Sequence, residues 1–318
     1  MPNYNHGRYI ERALRAILTQ AEPPLEIIVV DDTSTDDSCA VIERLMAAHP
    51  IIRLMRNEQR TGVDATINRG LREARGDYIA LLAADDEIGP NLFSHSLTIL
   101  AEYPSAGFCF SDPADVARET GEVSTIPLCL SERPCRIAVA DFVHILRRNF
   151  FNISSNTVIY RRDALMAAGG LPEDLGSMAD WFINYVIAFR YGVCYVPEVL
   201  GLFYKSRRSY SSQMLRDRMA ERAILSRMLE LLREPIYQDV MPAFRSAAIL
   251  PDFRPWVLGW MLTSSDGRAY LTPRLFARLV FRGLWTMLLP YCPVRLRRLA
   301  RWFVGRHGRR RTAQRGTG

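Results

Sequence analysis

Residues 25–34 have the sequence LEIIVVDDTS, and this stretch decides the fold class. Leu25–Val30 is a short apolar, β-branched run that follows Pro23-Pro24 and precedes Asp31-Asp32. Such a run predicts a strand buried on both faces, as in a parallel sheet. The acidic pair comes at the carboxyl end of that strand, which is where ligands bind in open parallel α/β sheets.

Helical and strand patterns alternate on both sides of this stretch. In chain order the predicted elements are helix Tyr9–Gln20, strand Leu25–Val30, helix Ser38–Ala48, strand Ile51–Met55, helix Ala65–Arg75 and strand Tyr78–Leu82. A second acidic pair, Asp85-Asp86, follows the third strand. The alternation predicts an α/β fold with a mostly parallel central sheet and carboxylates at one of its edges.

The pattern loosens after residue 108. Asp112–Pro134 is polar and predicts a loop or irregular hairpin over a site. The later predicted elements are strand Val158–Tyr160, helix Met178–Tyr191, strand Cys194–Val196 and helix Arg216–Arg233. We therefore expect an α/β domain over residues 1–215 and a helical C-terminal region with a basic tail over residues 216–318.

Composition limits the possible classes of protein. The chain has 318 residues, of which 48% are hydrophobic and 24% charged, which excludes global disorder. The six cysteines are scattered and form no C-x-x-C pair. We expect them to be reduced, mostly buried thiols, which favours a cytoplasmic location. The polar start is not typical of a signal peptide, and no run of 18 apolar residues predicts a membrane span.

The net charge of +7 is unevenly distributed. From Arg268 onward there are 13 arginines and no Asp, Glu or Lys, so the preceding residues carry a net charge of −6. A coding bias is one explanation, because Lys205 is the only lysine, but it does not account for the missing acids. The acidic body and the absence of a recognition motif argue against nucleic-acid binding.

Two helical patterns in this basic segment are amphipathic. Leu296, Leu299, Ala300 and Phe303 form one apolar stripe; Leu275, Leu279 and Trp285 lie beside Arg274, Arg278 and Arg282 in the other. Basic amphipathic helices bind anionic membrane surfaces, which would place the protein at the inner face of the cell membrane. The alternative is that both stripes pack on the first domain.

Short motifs follow one another in a fixed order over residues 1–212. They are Pro2-Asn3-Tyr4-Asn5, Ile27–Ser34, the series Asn57, Gly62, Asn68, Gly70, Ala74 and Gly76, then Tyr78–Asp86, Asn156–Arg161, Gly169-Gly170 and Asp180-Trp181. In this order and spacing they resemble the family 2 glycosyltransferases, which have the GT-A fold, a Rossmann-type sandwich. The resemblance implies an inverting enzyme that moves a sugar from a nucleoside diphosphate-sugar, with UDP favoured, to a glycan or lipid-linked acceptor. It further implies Mg²⁺ or Mn²⁺ as cofactor and a setting in bacterial surface-polysaccharide synthesis.

The resemblance assigns the metal and the diphosphate to Asp85 and Asp86. A hard divalent cation needs carboxylate oxygens, and it neutralises the charge that develops on the leaving diphosphate. Many relatives have another Asp where this chain has Ala83, which leaves one ligand fewer. The alternative is a solvated acidic turn.

The resemblance places the nucleotide at Pro2, Tyr4, Asp31 and Asp32. A carboxylate can accept the imide N–H of uracil, and a tyrosine ring can lie against the base. The alternative for the two acids is capping of the helix that follows. Asp85 and Arg207 are expected near the donor as well; Arg207 stands where relatives often have a histidine.

Asp180 is the predicted catalytic base. Inverting transfer needs a carboxylate that takes the proton of the acceptor hydroxyl. Relatives carry an acidic residue before this Asp, whereas here it is Ala179. The alternative is a carboxylate that favours the start of a helix.

Family members begin with a buried strand just before the first motif, whereas this sequence begins at Met1-Pro2. We therefore expect a sheet with an empty slot, and instability or inactivity for a chain that starts there. Two other classes stay open. One is a non-catalytic member that binds a nucleotide-sugar or a partner enzyme; the other is a nucleotidyltransferase, which would need a Gly-rich phosphate loop that is not visible.

Overall fold

In the computed structural model, residues 1–149, 151–205, 218–251 and 254–288 are described. The first part is a three-stranded parallel sheet in the order β1-β2-β3. Its elements are β1 (Pro2–Asn3), α1 (Gly7–Leu18), β2 (Ile27–Asp31), α2 (Ser38–Ala48), β3 (Ile52–Arg56) and α3 (Val63–Glu73). The predicted helix–strand alternation is therefore present, with bounds within a few residues of those expected.

A second, mixed sheet carries the rest of the α/β region, in the order β4-β9-β6-β10-β5. Its strands are β4 (Tyr78–Ala80), β5 (Glu87–Ile88), β6 (Phe108–Ala117), β7 (Val123–Thr125), β8 (Cys135–Ile137), β9 (Ile159–Arg161) and β10 (Val193–Lys205). The helices that pack on it are α4 (Leu92–Glu102), α5 (Val139–Arg148), α6 (Arg162–Ala167) and α7 (Ala179–Tyr191). Within this sheet only β6 and β10 pair in parallel, so the mostly parallel arrangement holds for the first sheet alone.

Of the loop or irregular hairpin predicted over Asp112–Pro134, the hairpin is present: β6 continues to Ala117 and pairs with β7, so the loop alternative is wrong at the start of this segment. Asp112 is buried in that strand, where it accepts hydrogen bonds from the Tyr195 hydroxyl (2.7 Å) and from the Leu128 N–H (2.9 Å). A polar residue that finds partners inside the fold carries no hydrophobic pattern, so the sequence resembled a loop. The remainder forms the β6–β7 hairpin and an irregular return.

The two sheets are separated by a cavity of about 410 Å³ between β2 and β4. Its lining includes Ile28 and Val30 of β2, Ile79 of β4 and Leu71 of α3. The Met1 ammonium donates to the Ile28 carbonyl over 2.8 Å, and burial lowers its pKa to about 5. The cavity lies beside β1, which within the described residues pairs only with Val30 and Asp31 at the end of β2.

The C-terminal helices share the larger hydrophobic core with β6 and α7. They are α8 (Arg218–Leu231), α9 (Met241–Ala247), α10 (Pro255–Thr263), α11 (Ser265–Tyr270) and α12 (Pro273–Leu288). Phe244 of α9 contacts the rings of Trp181 and Phe182, and Leu275 and Leu279 of α12 are fully buried. In the described part of the chain, no helix combines the length and apolar character needed to cross a bilayer.

Helix α12 contains the first of the two amphipathic stripes, for which the sequence left membrane binding or packing on the protein open. Arg278 donates to the carbonyls of Leu146 and Arg147 at the end of α5, and to those of Ala247 and Ala248 at the end of α9. Cations at helix carboxyl ends satisfy carbonyls that lack intrahelical partners. For this helix the packing alternative therefore holds, while the second stripe, Leu296–Phe303, lies outside the described residues.

Candidate functional site

Asp31 ends β2 and Asp32 follows it; both are buried, but their carboxylates bond to different loops. Asp31 accepts hydrogen bonds from the Asn3 amide (2.6 Å) and from the Ser34 hydroxyl (2.5 Å) and N–H (3.0 Å). It thereby ties β1 to the turn that starts α2. Asp31 does not cap α2, whose N-cap is Asp37; it holds the turn that precedes that helix.

Asp32 instead faces the loop between β3 and α3. It accepts from the Asn57 amide (2.7 Å) and from the N–H groups of Thr61 (2.8 Å) and Gly62 (2.9 Å). Burial alone would raise its pKa, but these donors together hold the pKa below its usual value. Asp32 is therefore a carboxylate kept ionised on the edge of the sheet.

Two residues of the first motif, Pro2 and Tyr4, lie in different places. Tyr4 is half-buried beside this acidic edge, and the Arg60 guanidinium lies 4.0 Å from the centre of its ring. Pro2 is paired with Val30 in β1 and lines the cavity between the sheets. The structure brings Tyr4, Asp31 and Asp32 together but does not bring Pro2 to the carboxylates.

Asp85 and Asp86 follow β4 and have opposite environments. Asp85 keeps 29% of its side chain exposed, and its Oδ2 pairs with Arg118 over 2.5 Å. Asp86 accepts from the Tyr204 N–H (2.8 Å) and from the Asn156 amide (2.7 Å). Burial, and then the charge of Asp85, raises the pKa of Asp86 to about 6.

Asn156 holds the acidic turn in place, a role that sequence reasoning missed. Its carbonyl oxygen accepts from the Ala83 N–H (3.1 Å), and its amide nitrogen donates to Asp86. Both ends of one buried side chain therefore fix the acidic turn that follows β4. The motif Asn156–Arg161 contained the residue, but the 70-residue separation from Asp86 hid the contact.

Asp180 lies in the first turn of α7, as the helix-start alternative expects. One oxygen accepts the Trp181 N–H (2.7 Å), and the other accepts the Ser155 hydroxyl (2.6 Å). Asn184 donates weakly to the same hydroxyl (3.4 Å) and accepts from the buried Tyr160 hydroxyl (2.5 Å). Burial raises the pKa of Asp180, although the hydroxyl and the N–H oppose the increase.

A second acid near Asp180 was also missed. Asp64, at the start of α3, is 93% buried, with only 7% of its surface exposed. Burial raises its pKa to about 7, and the charges of Asp180 and Glu173 add to the increase. Asn68 of the same helix holds the glycine turn ahead of α7, because its amide exchanges two hydrogen bonds with the Leu171 backbone (2.8 and 2.9 Å). Helix α3 thus connects the first sheet to the segment that leads into α7 and Asp180.

Arg207 lies outside the described residues. The cation found at the acidic turn is Arg118, directly after β6, which no motif had indicated. Among the described residues, no three His, Cys, Asp or Glu side chains are grouped closely enough to hold a metal on their own. The described cysteines are free thiols, as expected, but only Cys109 and Cys194 are buried; Cys129 is exposed, and Cys39 and Cys135 are half-buried, so the expected burial is wrong for these three.

Comparison with known proteins agrees with this arrangement. A model of the glycosyl transferase family 2 matches residues 1–166, which contain both acidic pairs and the Ser155-Asn156 turn. The chain belongs to this family. It is a glycosyltransferase with a mixed α/β fold.

Relatives extend the match beyond the family model. An uncharacterised protein of Mycobacterium tuberculosis is 32% identical over 270 residues, which cover 82% of this chain and 81% of that protein. A protein of Bacillus subtilis, TuaG, is 30% identical over 118 residues, or 37% of this chain and 46% of its own length. Its name assigns it provisionally to teichuronic acid biosynthesis as a glycosyltransferase.

Solved structures share the fold at low identity. S. aureus TarS, residues 1–349 in complex with UDP-GlcNAc, gives a TM-score of 0.63 at 16% identity, covering 96% of this chain and 87% of that one. The mannosyltransferase PcManGT of Pyrobaculum calidifontis, in complex with GDP-Man and Mn²⁺, gives 0.53 at 21% identity, covering 90% and 86%. These similarities confirm the GT-A fold.

Proposed function

We propose that this family 2 enzyme transfers a sugar with inversion from a nucleoside diphosphate-sugar to a glycan or lipid-linked acceptor. One observation carries the proposal. Two consecutive residues, Ser155 and Asn156, bond to Asp180 and Asp86 respectively. The expected base and the expected diphosphate site are thus both hydrogen-bonded to a single turn, which supports their acting on the same bound donor.

Asp180 would act as the general base. Its pKa lies above the ordinary range because of burial, which brings it closer to that of an efficient proton acceptor at neutral pH. The Ser155 hydroxyl and the Trp181 N–H fix the direction of both carboxylate oxygens. The acceptor hydroxyl would lose its proton to this carboxylate as its oxygen attacks the anomeric carbon and the diphosphate leaves.

The residues at the acidic turn fit Mg²⁺ or Mn²⁺ bound mainly through the donor. Asp85 Oδ1 receives no hydrogen bond from the described residues, whereas both oxygens of Asp86 have protein donors. Mg²⁺ is commonly held by one or two carboxylates together with substrate phosphates and water. When bound, the metal would neutralise charge on the leaving diphosphate.

Binding of a nucleotide base is proposed at Asp32 and Tyr4, with Asp31 behind them and Arg60 over the Tyr4 ring. TarS is described with UDP-GlcNAc and PcManGT with GDP-Man, so both nucleotides are candidates, and the ionised Asp32 favours an N–H donor such as uracil. The name of TuaG supports a role in bacterial polysaccharide synthesis. Attachment to the inner membrane surface through the basic tail stays part of the proposal.

Donor hydrolysis tests the proposal. The full chain is incubated with UDP-glucose, UDP-GlcNAc and GDP-mannose in the presence of Mn²⁺, and release of UDP or GDP is followed together with the anomeric configuration of the freed sugar. Slow release from one donor, with inversion, supports an inverting transferase. Retention of configuration would reject the inverting mechanism, and donor binding without any release would favour the non-catalytic alternative.

A further inference from the structure

The guanidinium of Arg118 is fixed at the acidic turn from four directions. Its Nη2 donates to Asp85 Oδ2 (2.5 Å) and to the Asp85 carbonyl (3.2 Å), and its Nε donates to the Tyr204 carbonyl (2.8 Å). The Tyr9 ring centre lies 4.3 Å from its Cζ, within the range of a cation–π contact. Only 15% of the side chain is exposed, so this guanidinium is held in one place.

One edge of this fixed group has no partner. Nη1 is buried and donates no hydrogen bond to any residue that the structure describes. A buried donor without an acceptor costs free energy, so its retention calls for a ligand. Because Nε and Nη2 already donate to protein oxygens, Nη1 is the nitrogen that can give a phosphate oxygen a charge-assisted hydrogen bond.

A second guanidinium, that of Arg12, lies at the same turn but is paired with a different carboxylate. Arg12 pairs with Glu87 over 2.5 Å and stacks 3.7 Å from the Tyr204 ring centre. Its Nη2 contacts the Asp85 carbonyl over 3.3 Å. Arg12 is thereby neutralised by its own carboxylate, whereas Arg118 shares the carboxylate that a metal would also use.

We infer that Arg118 binds the donor diphosphate through its Nη1 edge and competes with the divalent metal for Asp85. The inference rests on the proposed function and deepens it. Two consequences follow: the chain binds nucleoside diphosphate without metal, and Arg118 weakens the binding of metal alone. Arg118 also compensates for the metal ligand that is missing at Ala83, because its positive charge lies beside the diphosphate whether or not a metal is bound.

The test compares wild type with Arg118→Gln and Arg118→Lys in the full chain. Arg190→Gln is the matched control, because Arg190 is equally buried (13% exposed) and pairs with Asp239 over 2.8 Å, away from the acidic turns. UDP and GDP are titrated calorimetrically in excess chelator and then with Mn²⁺. Binding of Mn²⁺ alone is followed by its paramagnetic resonance signal, and thermal unfolding reports the folding of each variant.

We expect wild type to bind one nucleotide in chelator. Arg118→Gln should lose roughly tenfold or more of that affinity, the scale of a hydrogen bond to a charged group, and Arg118→Lys should lose less. Binding of Mn²⁺ alone should become several-fold tighter in Arg118→Gln, because Asp85 is released. Arg190→Gln should match wild type in both measurements.

Equal nucleotide affinity of wild type and Arg118→Gln in chelator would overturn the inference, as would a wild type that binds nucleotide only with Mn²⁺; the proposed function would survive either result. No binding of UDP or GDP under any condition would reject the proposed donor class itself, and the inference with it. If Arg118→Gln does not fold, Arg118→Lys must still weaken nucleotide binding in chelator, and unchanged binding would count against the inference.

Discussion

Removing the Ser155 hydroxyl tests whether Asp180 is the base. The hydroxyl donates to Asp180 over 2.6 Å and stabilises its charged form, while burial raises the pKa. Ser155→Ala therefore raises the pKa of Asp180 further. A hydrogen bond to a charged group contributes roughly 1.5–3 kcal/mol, and about 1.4 kcal/mol corresponds to one pKa unit. The acid limb of the pH–rate profile should move upward by about one unit or more.

The sign of the effect follows from the role of the carboxylate. A base works only when deprotonated, so the rate falls as the pH falls through its pKa. Ser155→Ala should lose activity first at the acid end and keep most of it well above the pKa of Asp180. Donor hydrolysis, measured as released nucleotide across the acid and neutral range, gives the profile.

Two further variants make the measurement decisive. Ser154→Ala is the matched control, since within the described structure only the backbone carbonyl of Ser154 accepts hydrogen bonds (from Thr157). Asp180→Asn should keep donor affinity and lose roughly 10²-fold or more in turnover, as expected for a lost general base. An unshifted profile in Ser155→Ala, or wild-type turnover in Asp180→Asn, would return Asp180 to a purely structural role at the start of α7.

The remaining predictions concern the acidic turn and the tail. Asp85→Asn should abolish transfer and weaken donor binding in the presence of Mn²⁺; full wild-type activity in excess chelator would count against the metal. Asn156→Ala leaves the Ala83 N–H and Asp86 without their shared partner, so urea unfolding should show a loss of about 1–3 kcal/mol, and an unchanged midpoint would contradict the bridging role. A chain ending at Leu288 keeps the buried Leu275 and Leu279 and should lose the salt-sensitive binding to anionic vesicles that we expect of the full chain. Equal sedimentation of both chains would remove the membrane proposal.

Local pattern was enough to predict most of the first part of the fold. Helix α2 has the bounds predicted from its helical spacing, Ser38–Ala48. Strand β2 begins and ends within two residues of the apolar run that predicted it. Both acidic pairs stand at the ends of β2 and β4, because strand order and the alternation of elements place them there.

The parts that sequence reasoning missed depend on contacts between distant residues. Arg118 reaches Asp85 across 33 positions, and Asn156 reaches Asp86 across 70. Polar residues in a polar stretch carry no periodicity, so neither Arg118 nor the strand that ends beside it could be identified. The mixed pairing of the second sheet was missed for the same reason, since pairing direction is fixed by chain reversals and not by the composition of β9 or β10.

The cavity between β2 and β4 has a mechanical consequence. The strands of the two sheets form no pair with each other in the described structure, so the acids after β2 and the acids after β4 are joined by side-chain packing and by α3, not by a continuous backbone ladder. A nucleoside diphosphate that spans both acidic ends would supply a link that the backbone lacks. A ligand that binds the folded state and not the unfolded state increases the free energy of unfolding. UDP should therefore raise the melting temperature by more than the increases produced by uridine and by pyrophosphate added together, because neither fragment can clamp one sheet to the other.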